Sequence, residues 1–378
     1  MNDQERLQKF YDTLNKIGGL DISLYDRLMK SLEQAEEPDG FDEDGRLKIA
    51  FFDARSYEID SFDQKNQDRY AIENFEFSLN AHTASSADGF KVVCVFVNDT
   101  VDAEVVKLLS KHGVELIALR CAGFNNVDLD ACKEHNISVV RVPAYSPHAV
   151  AEHTLGLMLM LNRHLHRAYL RNRAGSFVLD GLTGFDMHGK TAGVIGTGKI
   201  GRCVIEILCG FGCRVLANDK YPHEEVEQNP NAKYVELEQV LTESDMITLH
   251  VPLTDETHHM INKETIESMK DGVMLINTSR GGLVDTRELI EGLKSKKIGS
   301  AGLDVYEEEA GIFFHDYSSR IMDDDVLARL MSFSNVVVTS HQAFLTREAL
   351  ANIAETTLEN IGEYLDGKRG EDLTNGLA

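Results

Sequence analysis

Thr191-Ala192-Gly193-Val194-Ile195-Gly196-Thr197-Gly198-Lys199-Ile200-Gly201 is the stretch around which the chain is organised. Residues 191–195 read as a short buried strand, and Lys199 to Leu208 has helical spacing with Ile200, Val204, Ile207 and Leu208 on one face. A second apolar strand, Arg214 to Ala217, then leads to Asn218-Asp219, with Asp219 eighteen residues past the last glycine. Strand, glycine turn, helix, strand and acid, in that order, form a dinucleotide fingerprint. Gly196 permits the tight turn, Gly198 lets a pyrophosphate approach the backbone, and Gly201 lets helix and strand pack closely. Thr197, Lys199 and Ile200 complete the turn, and the helix N-terminus offers unpaired N–H groups to the phosphates. Asp219 is placed to accept from ribose hydroxyls and to repel a 2′-phosphate, favouring NAD over NADP, a preference that neighbouring Lys220 weakens slightly.

At 378 residues the chain is long enough for two domains with separate cores, and 43% hydrophobic content without low-complexity tracts predicts a globular protein. A formal charge of −24 argues against nucleic acid or an anionic membrane as partner. The charged N-terminus carries no signal-peptide pattern, and the longest apolar run, Leu155 to Leu161, is far short of a membrane span, so a cytoplasmic location is expected. Six cysteines lack CxxC spacing and read as reduced thiols. Cys209 and Cys213 have no histidine pair nearby, so no metal site is expected.

The remaining pattern predicts the domain plan. Residues 1–46 read as a helical hairpin set apart by an acidic linker, docking on the body or on a neighbouring subunit. Apolar strands starting near Lys48, Lys91, Val114 and Ile137 alternate with helices, which implies a parallel α/β sheet with no phosphate-type glycine loop. One long helix is expected from Pro147 to Arg171, its Leu/Met run serving as core or subunit interface. Strands at 246–251, 273–277, 300–305 and 336–340 continue the second sheet, and a final amphipathic helix, 346–364, is expected to return to the first domain. The fold class is thus α/β with two Rossmann-like or flavodoxin-like parallel sheets. A dinucleotide domain, 147–341, is inserted into a discontinuous substrate domain, 47–146 and 342–378. Chemistry is expected in the cleft between them.

Hydride transfer to a 2-keto acid requires a cation for the carboxylate and a proton donor for the developing alkoxide. Arg280, just after a strand in Asn277-Thr278-Ser279-Arg280-Gly281-Gly282, can hold a carboxylate with two parallel hydrogen bonds. His341 follows another strand end. It is one of fourteen histidines, of which most, including His258-His259, read as exposed loop residues. A carboxylate hydrogen-bonded to imidazole favours its charged form, and Glu307, Glu308 and Glu309 all compete for that place on spacing alone.

With these residues in view, the chain resembles the D-2-hydroxyacid dehydrogenases from about Lys48 almost to its end. The resemblance is carried by Arg120-Cys121-Ala122-Gly123-Phe124-Asn125-Asn126-Val127-Asp128, Val142-Pro143-Ala144-Tyr145-Ser146-Pro147, the glycine turn, the Arg280 loop, Leu303-Asp304-Val305-Tyr306-Glu307 and His341-Gln342-Ala343-Phe344. Residues 311–316 look like the lactate branch of the family. The resemblance implies NADH-dependent, reversible reduction of pyruvate to D-lactate by a homodimer or homotetramer. It implies Arg280 as carboxylate clamp, His341 as acid/base and Glu309 as its partner. It further implies substrate contacts from the N–H groups of Ala122 and Gly123 and from Tyr145 and Phe344. Cofactor contacts are expected from Val251, Pro252, Thr278, Ser279 and Asp304. The alternatives are a dehydrogenase of larger 2-keto acids and a non-enzymatic NAD(H)-sensing corepressor. The first 46 residues are extra to the family, and Gly282 stands where alanine is commoner.

Overall fold

The computed structural model describes residues 40–309 and 311–378, so the expected N-terminal hairpin lies outside the described residues except for 40–46. Those form a turn closed by the antiparallel Phe41–Leu47 bridge and an Arg46–Asp42 ion pair. Beyond it the chain divides into two compact units, one running up to Pro143 and resuming at Ile353–Ala378, the other Ala144–Asn352. On this division Tyr145 and Phe344 fall in the same unit as Arg280, Glu309 and His341.

The first unit holds a five-stranded parallel sheet of β1 (Lys48–Phe51), β2 (Ala71–Asn74), β3 (Val92–Val95), β4 (Leu116–Leu119) and β5 (Ser138–Val140). Their spatial order is β2-β1-β3-β4-β5, the flavodoxin-like arrangement. β3, β4 and β5 are buried along their whole length, which is why they read as continuous apolar runs. β2 is only partly buried, and its short Ala-Ile-Glu-Asn sequence gave no strand signal. Asp102 caps the helix Ala103–Lys111 by accepting from Val105 N at 3.0 Å, and Asp128 caps Leu129–Glu134 in the same way. From Ile353 onward the helix Arg347–Leu365 belongs to this unit, where Tyr364 Oη donates to Glu115 Oε2 at 2.9 Å.

The second unit holds seven parallel strands: β6 (Thr191–Ile195), β7 (Arg214–Asn218), β8 (Ala232–Tyr234), β9 (Met246–Leu249), β10 (Val273–Asn277), β11 (Ile298–Leu303) and β12 (Val336–Val338). The order β12-β11-β10-β9-β6-β7-β8 reverses between β6 and β9, and open α/β sheets bind ligands outside the carboxyl ends of strands at such a reversal. Ile195 pairs in register with Asn218 on one side and Leu249 on the other, so the three strands end together beneath the glycine turn.

Ser146 and Pro147 start the next helix, Pro147–Asn162, with Ser146 Oγ accepting from Ala149 N at 3.2 Å. Its Leu155, Leu157, Met158 and Leu161 are buried against Val194, Val204, Leu208 and Ile276, so this Leu/Met run is core. Burial of each such side chain stabilises the unit by about 1.5–3 kcal/mol. The single long helix expected over 147–171 is broken: His164 adopts a left-handed φ of 50°, and a separate helix, Leu165–Arg173, follows with no buried residue. No described helix is long and apolar enough to cross a membrane. Cys94, Cys132, Cys203, Cys209 and Cys213 are free thiols, and Cys213 lies beyond the end of the helix Lys199–Gly210 that carries Cys209.

Candidate active site

The glycine turn shows why three positions carry no side chain. Gly196 has φ 96°, and a Cβ there would lie 2.5 Å from the His250 carbonyl carbon. A Cβ on Gly201 would lie 2.0 Å from Gly196 O, so helix and turn touch backbone to backbone. Gly198 differs: a Cβ there meets nothing within 4 Å, leaving open space at the N-terminus of the helix Lys199–Gly210, which no side chain caps. Unpaired N–H groups facing open space are what a pyrophosphate requires.

Asp219 braces that turn. Its Oδ2 accepts from Thr197 N at 2.5 Å and Thr197 Oγ1 at 3.1 Å, and its Oδ1 accepts from Tyr221 N at 2.8 Å. Partial burial pushes its pKa up, but these donors outweigh that and hold it below the usual carboxylate range. Three of roughly four acceptor positions are thus filled, leaving capacity for a ribose hydroxyl. Lys220 is ion-paired with Glu256, both exposed, so it is already engaged rather than held toward a 2′-phosphate. The turn, the uncapped helix and the acid fit a dinucleotide.

At the ends of β9, β10 and β11 a cavity of about 80 Å³ is lined by Tyr145, Val150, Ile200, His250, Thr278, Ser279, Arg280, Asp304, His341, Ala343 and Phe344. Arg280 follows β10 directly, and its Nη1 donates to Ser279 O at 2.7 Å. Ser279 Oγ donates to Val251 O at 2.7 Å, which ties the Arg280 loop to the residue after β9, and Pro252 beside it is exposed. Thr278 Oγ1 lies 2.9 Å from Thr154 Oγ1 on the helix Pro147–Asn162. Tyr145 and Phe344 meet edge to face at 6.1 Å between ring centroids.

His341 Nδ1 lies 2.8 Å from Glu309 Oε1, while Glu309 Oε2 accepts from Tyr306 N at 3.0 Å. With Nδ1 occupied, Nε2 is left to the cavity. Glu307 is turned elsewhere, paired with His259 Nε2 and 3.3 Å from Thr286 Oγ1. The backbone of His341 is left-handed, φ 52°, a conformation that costs of order 1–3 kcal/mol and persists only where surroundings impose it.

Asp304 is what imposes it. Its backbone carbonyl accepts from His341 N at 2.7 Å. Its carboxylate accepts from Gln342 N at 2.9 Å, Ala343 N at 2.8 Å and Thr339 Oγ1 at 2.6 Å. His153 Nε2 lies 3.4 Å from the same carboxylate and 3.1 Å from Thr339 Oγ1. Burial pushes the Asp304 pKa up, but the His153, Thr339, Ala343 and Gln342 contacts prevail and hold it below the carboxylate norm. An ionised, fully buried carboxylate therefore fixes the loop that carries His341. His153 and Thr339 had no signal in the sequence as site residues, since they meet across 186 positions.

A second histidine, His250, lines the cavity, with Nε2 2.9 Å from Thr248 Oγ1. Desolvation pushes it down to about 3, so it is neutral at neutral pH and cannot be the proton donor there. Ala122 and Gly123 lie in the first unit, after β4, where Ala122 O accepts from Arg141 Nη1 at 2.9 Å.

A nucleotide turn at the reversal of a parallel sheet, with an arginine after β10 and a carboxylate-paired histidine after β12, on either side of β11, defines a dehydrogenase of 2-hydroxy acids. The family model described as D-isomer specific 2-hydroxyacid dehydrogenase, NAD binding domain, matches residues 155–343, and the chain belongs to this family. Over 332 residues it is 51% identical to D-lactate dehydrogenase of Escherichia coli (strain K12), covering 88% of this chain and 100% of that one. It is similar to the solved pyruvate reductase of Chlamydomonas reinhardtii, with TM-score 0.83, 46% identity, and 87% and 98% of the two chains covered. It is also similar to the NAD-complexed D-isomer specific 2-hydroxyacid dehydrogenase from Lactobacillus delbrueckii ssp. bulgaricus, with TM-score 0.72, 31% identity, and 88% and 100% covered.

Proposed function

We propose that this chain catalyses the reversible NADH-dependent reduction of pyruvate to D-lactate. The observation that carries the reading is one small cavity lined together by Arg280, His341, Tyr145 and Phe344, with Glu309 behind the histidine. Bound NADH supplies the hydride. Gly196, Thr197, Gly198, Lys199, Ile200 and Gly201 hold its phosphates at the helix N-terminus, Asp219 its ribose, and Val251, Pro252, Thr278 and Ser279 the strand ends beyond. Arg280 grips the substrate carboxylate through its planar fork and fixes the keto group relative to His341. His341 donates the proton from Nε2 to the alkoxide oxygen, while Glu309 holds Nδ1–H and stabilises the imidazolium before transfer. Asp304 acts as a positioning residue through the backbone of 341–343. The roles of Ala122 and Gly123, and the D configuration, rest on the family.

The test is NADH consumption with pyruvate against a series of longer 2-keto acids, with the lactate enantiomer assayed. The largest kcat/KM for pyruvate with D-lactate as product supports the reading. Faster turnover of branched longer acids transfers it to the larger-substrate alternative, and no NADH oxidation by any of them leaves the corepressor reading.

The same proposal includes assembly from identical copies and a cytoplasmic setting, the latter supported by the free thiols of Cys94, Cys132, Cys203, Cys209 and Cys213. The support for assembly is the run of exposed apolar side chains on the helix Leu165–Arg173 and in the segment after it: Tyr169, Leu170, Phe177 and Leu179, the last 79% exposed. Light scattering on the full chain is expected to give at least twice the chain mass, and Leu179→Glu with Leu170→Glu to reduce it to the monomer.

A further inference from the structure

His258, His259 and Glu307 form a second cluster, outside the cavity of Arg280 and His341, whose ligand atoms all lie within 4.8 Å of one another. We propose that these three side chains bind a zinc-class divalent cation, for which two imidazoles and a carboxylate are a fitting donor set.

Several features point the same way. The two imidazoles stack at 3.9 Å between centroids, and a nitrogen of each lies within 4.8 Å of the other and of a Glu307 oxygen. The backbone of His259 is left-handed, φ 50°, a conformation that persists only where the surroundings hold it. His259 directs Nε2 at Glu307, while its Nδ1 lies 3.9 Å from Asp285 Oδ2. Asp285 Oδ1 is committed to capping the helix Thr286–Ser295, which leaves Oδ2 facing the imidazole. At 3.9 Å this carboxylate does not hydrogen-bond the ring but places a second negative charge beside the imidazole, which favours a cation at the cluster. His258 is exposed, held by its backbone N donating to Thr254 O at 2.9 Å while its ring stacks on His259, so a side-chain rotation completes the set. Tetrahedral zinc with bonds of about 2.0–2.1 Å places ligand atoms about 3.3 Å apart, within reach of small side-chain rotations here. Water is the fourth ligand, since the site opens to solvent through His258.

The location gives the cation a consequence for the catalytic loops. His259 N donates to Gly282 O at 2.8 Å, two residues past Arg280, and Glu307 follows Tyr306, whose N–H holds Glu309. A Cβ on Gly281 would lie 2.1 Å from the Tyr306 carbonyl carbon, so these segments already touch backbone to backbone. A metal joining 258–259 to 307 clips the Arg280 loop to the Glu309 segment.

The test uses the full chain stripped with a chelator and titrated with Zn²⁺ by calorimetry, with Co²⁺ absorption as an independent probe of ligand geometry. One tight site per chain, a raised Tm and a tetrahedral cobalt spectrum are expected. His258→Ala, a surface change that leaves folding intact, should weaken the zinc site by at least about tenfold, as should Glu307→Gln, and Asp285→Asn by less than either, since it removes only a nearby charge. No stoichiometric zinc site, or one that survives in His258→Ala, overturns the proposal. The readouts are binding and Tm rather than turnover, so failure here is separate from failure of the proposed reaction.

Discussion

Two histidine–glutamate pairs stand in the inserted unit with their acids only two positions apart, and they do different things. In the His341–Glu309 pair the carboxylate takes Nδ1 and leaves Nε2 to a cavity shared with Arg280. In the His259–Glu307 pair the carboxylate meets Nε2, and Nδ1 faces a second acid, Asp285, outside that cavity. The pairing motif alone therefore does not make an acid/base group. Which nitrogen is left over, and what it faces, decides the role.

Substitutions that separate the pairs test this contrast. His341→Gln is expected to lower kcat by about 10³-fold with NADH affinity unchanged, the scale of a lost general acid. His259→Gln should stay within about one order of magnitude of wild type, since its ring lies off the substrate. Steady-state turnover with fluorescence titration of NADH reads both, and comparable losses would erase the distinction. Arg280→Lys should cost about 10²-fold in kcat/KM for pyruvate, because an ammonium cannot reproduce the fork. Asp304→Asn leaves the pair intact but loosens the loop beneath it. A fall of up to about 10²-fold in kcat, with the zinc affinity of the other pair untouched, is expected.

Protonation supplies a milder test. His250 is held neutral in the fold, so below its unfolded pKa the unfolded chain binds more protons than the folded one. Its contribution to stability is then fully present above about 6.5 and declines as pH falls toward about 3. Asp304, depressed in the fold, contributes stability that is lost as pH falls through its lowered pKa. Tm measured from pH 7 downward should drop, and the drop between about pH 6.5 and 4 should be smaller in His250→Gln. Smallest of all, Gly282→Ala should raise stability by about 0.4–1 kcal/mol in denaturant unfolding, the conformational entropy removed from the unfolded chain. Its new Cβ meets the Leu253 methyl tips at 3.1 and 3.3 Å, which can yield, and His258 Cδ2 at an ordinary contact distance of 3.6 Å.

What the sequence made legible was local. The glycine turn, its flanking strands and Asp219 lie within thirty positions, and each demand there, a positive φ at Gly196 or the contact of Gly201 with Gly196 O, acts on neighbouring backbone. Arg280 and His341 were legible as strand-end residues for the same reason. What escaped was settled at long range or by small margins. Spacing left Glu307, Glu308 and Glu309 open and only the family resemblance named Glu309 and Asp304, because the choice of Glu309 over Glu307 depends on where His259 sits and the contacts of Asp304 come from His153 and Thr339 in distant segments. The break at His164 leaves the Leu/His/Arg periodicity unbroken, so helical spacing runs straight through it. His258-His259 read as loop residues because nothing local announces Glu307 and Asp285 beside them.

The rate of NADH oxidation in a single turnover with saturating pyruvate, taken on wild type, His341→Gln and His259→Gln, probes the difference between the pairs most directly. The account predicts a rate within about one order of magnitude of wild type in His259→Gln and one about 10³-fold lower in His341→Gln. Equal losses in the two variants, or the larger loss in His259→Gln, would contradict it.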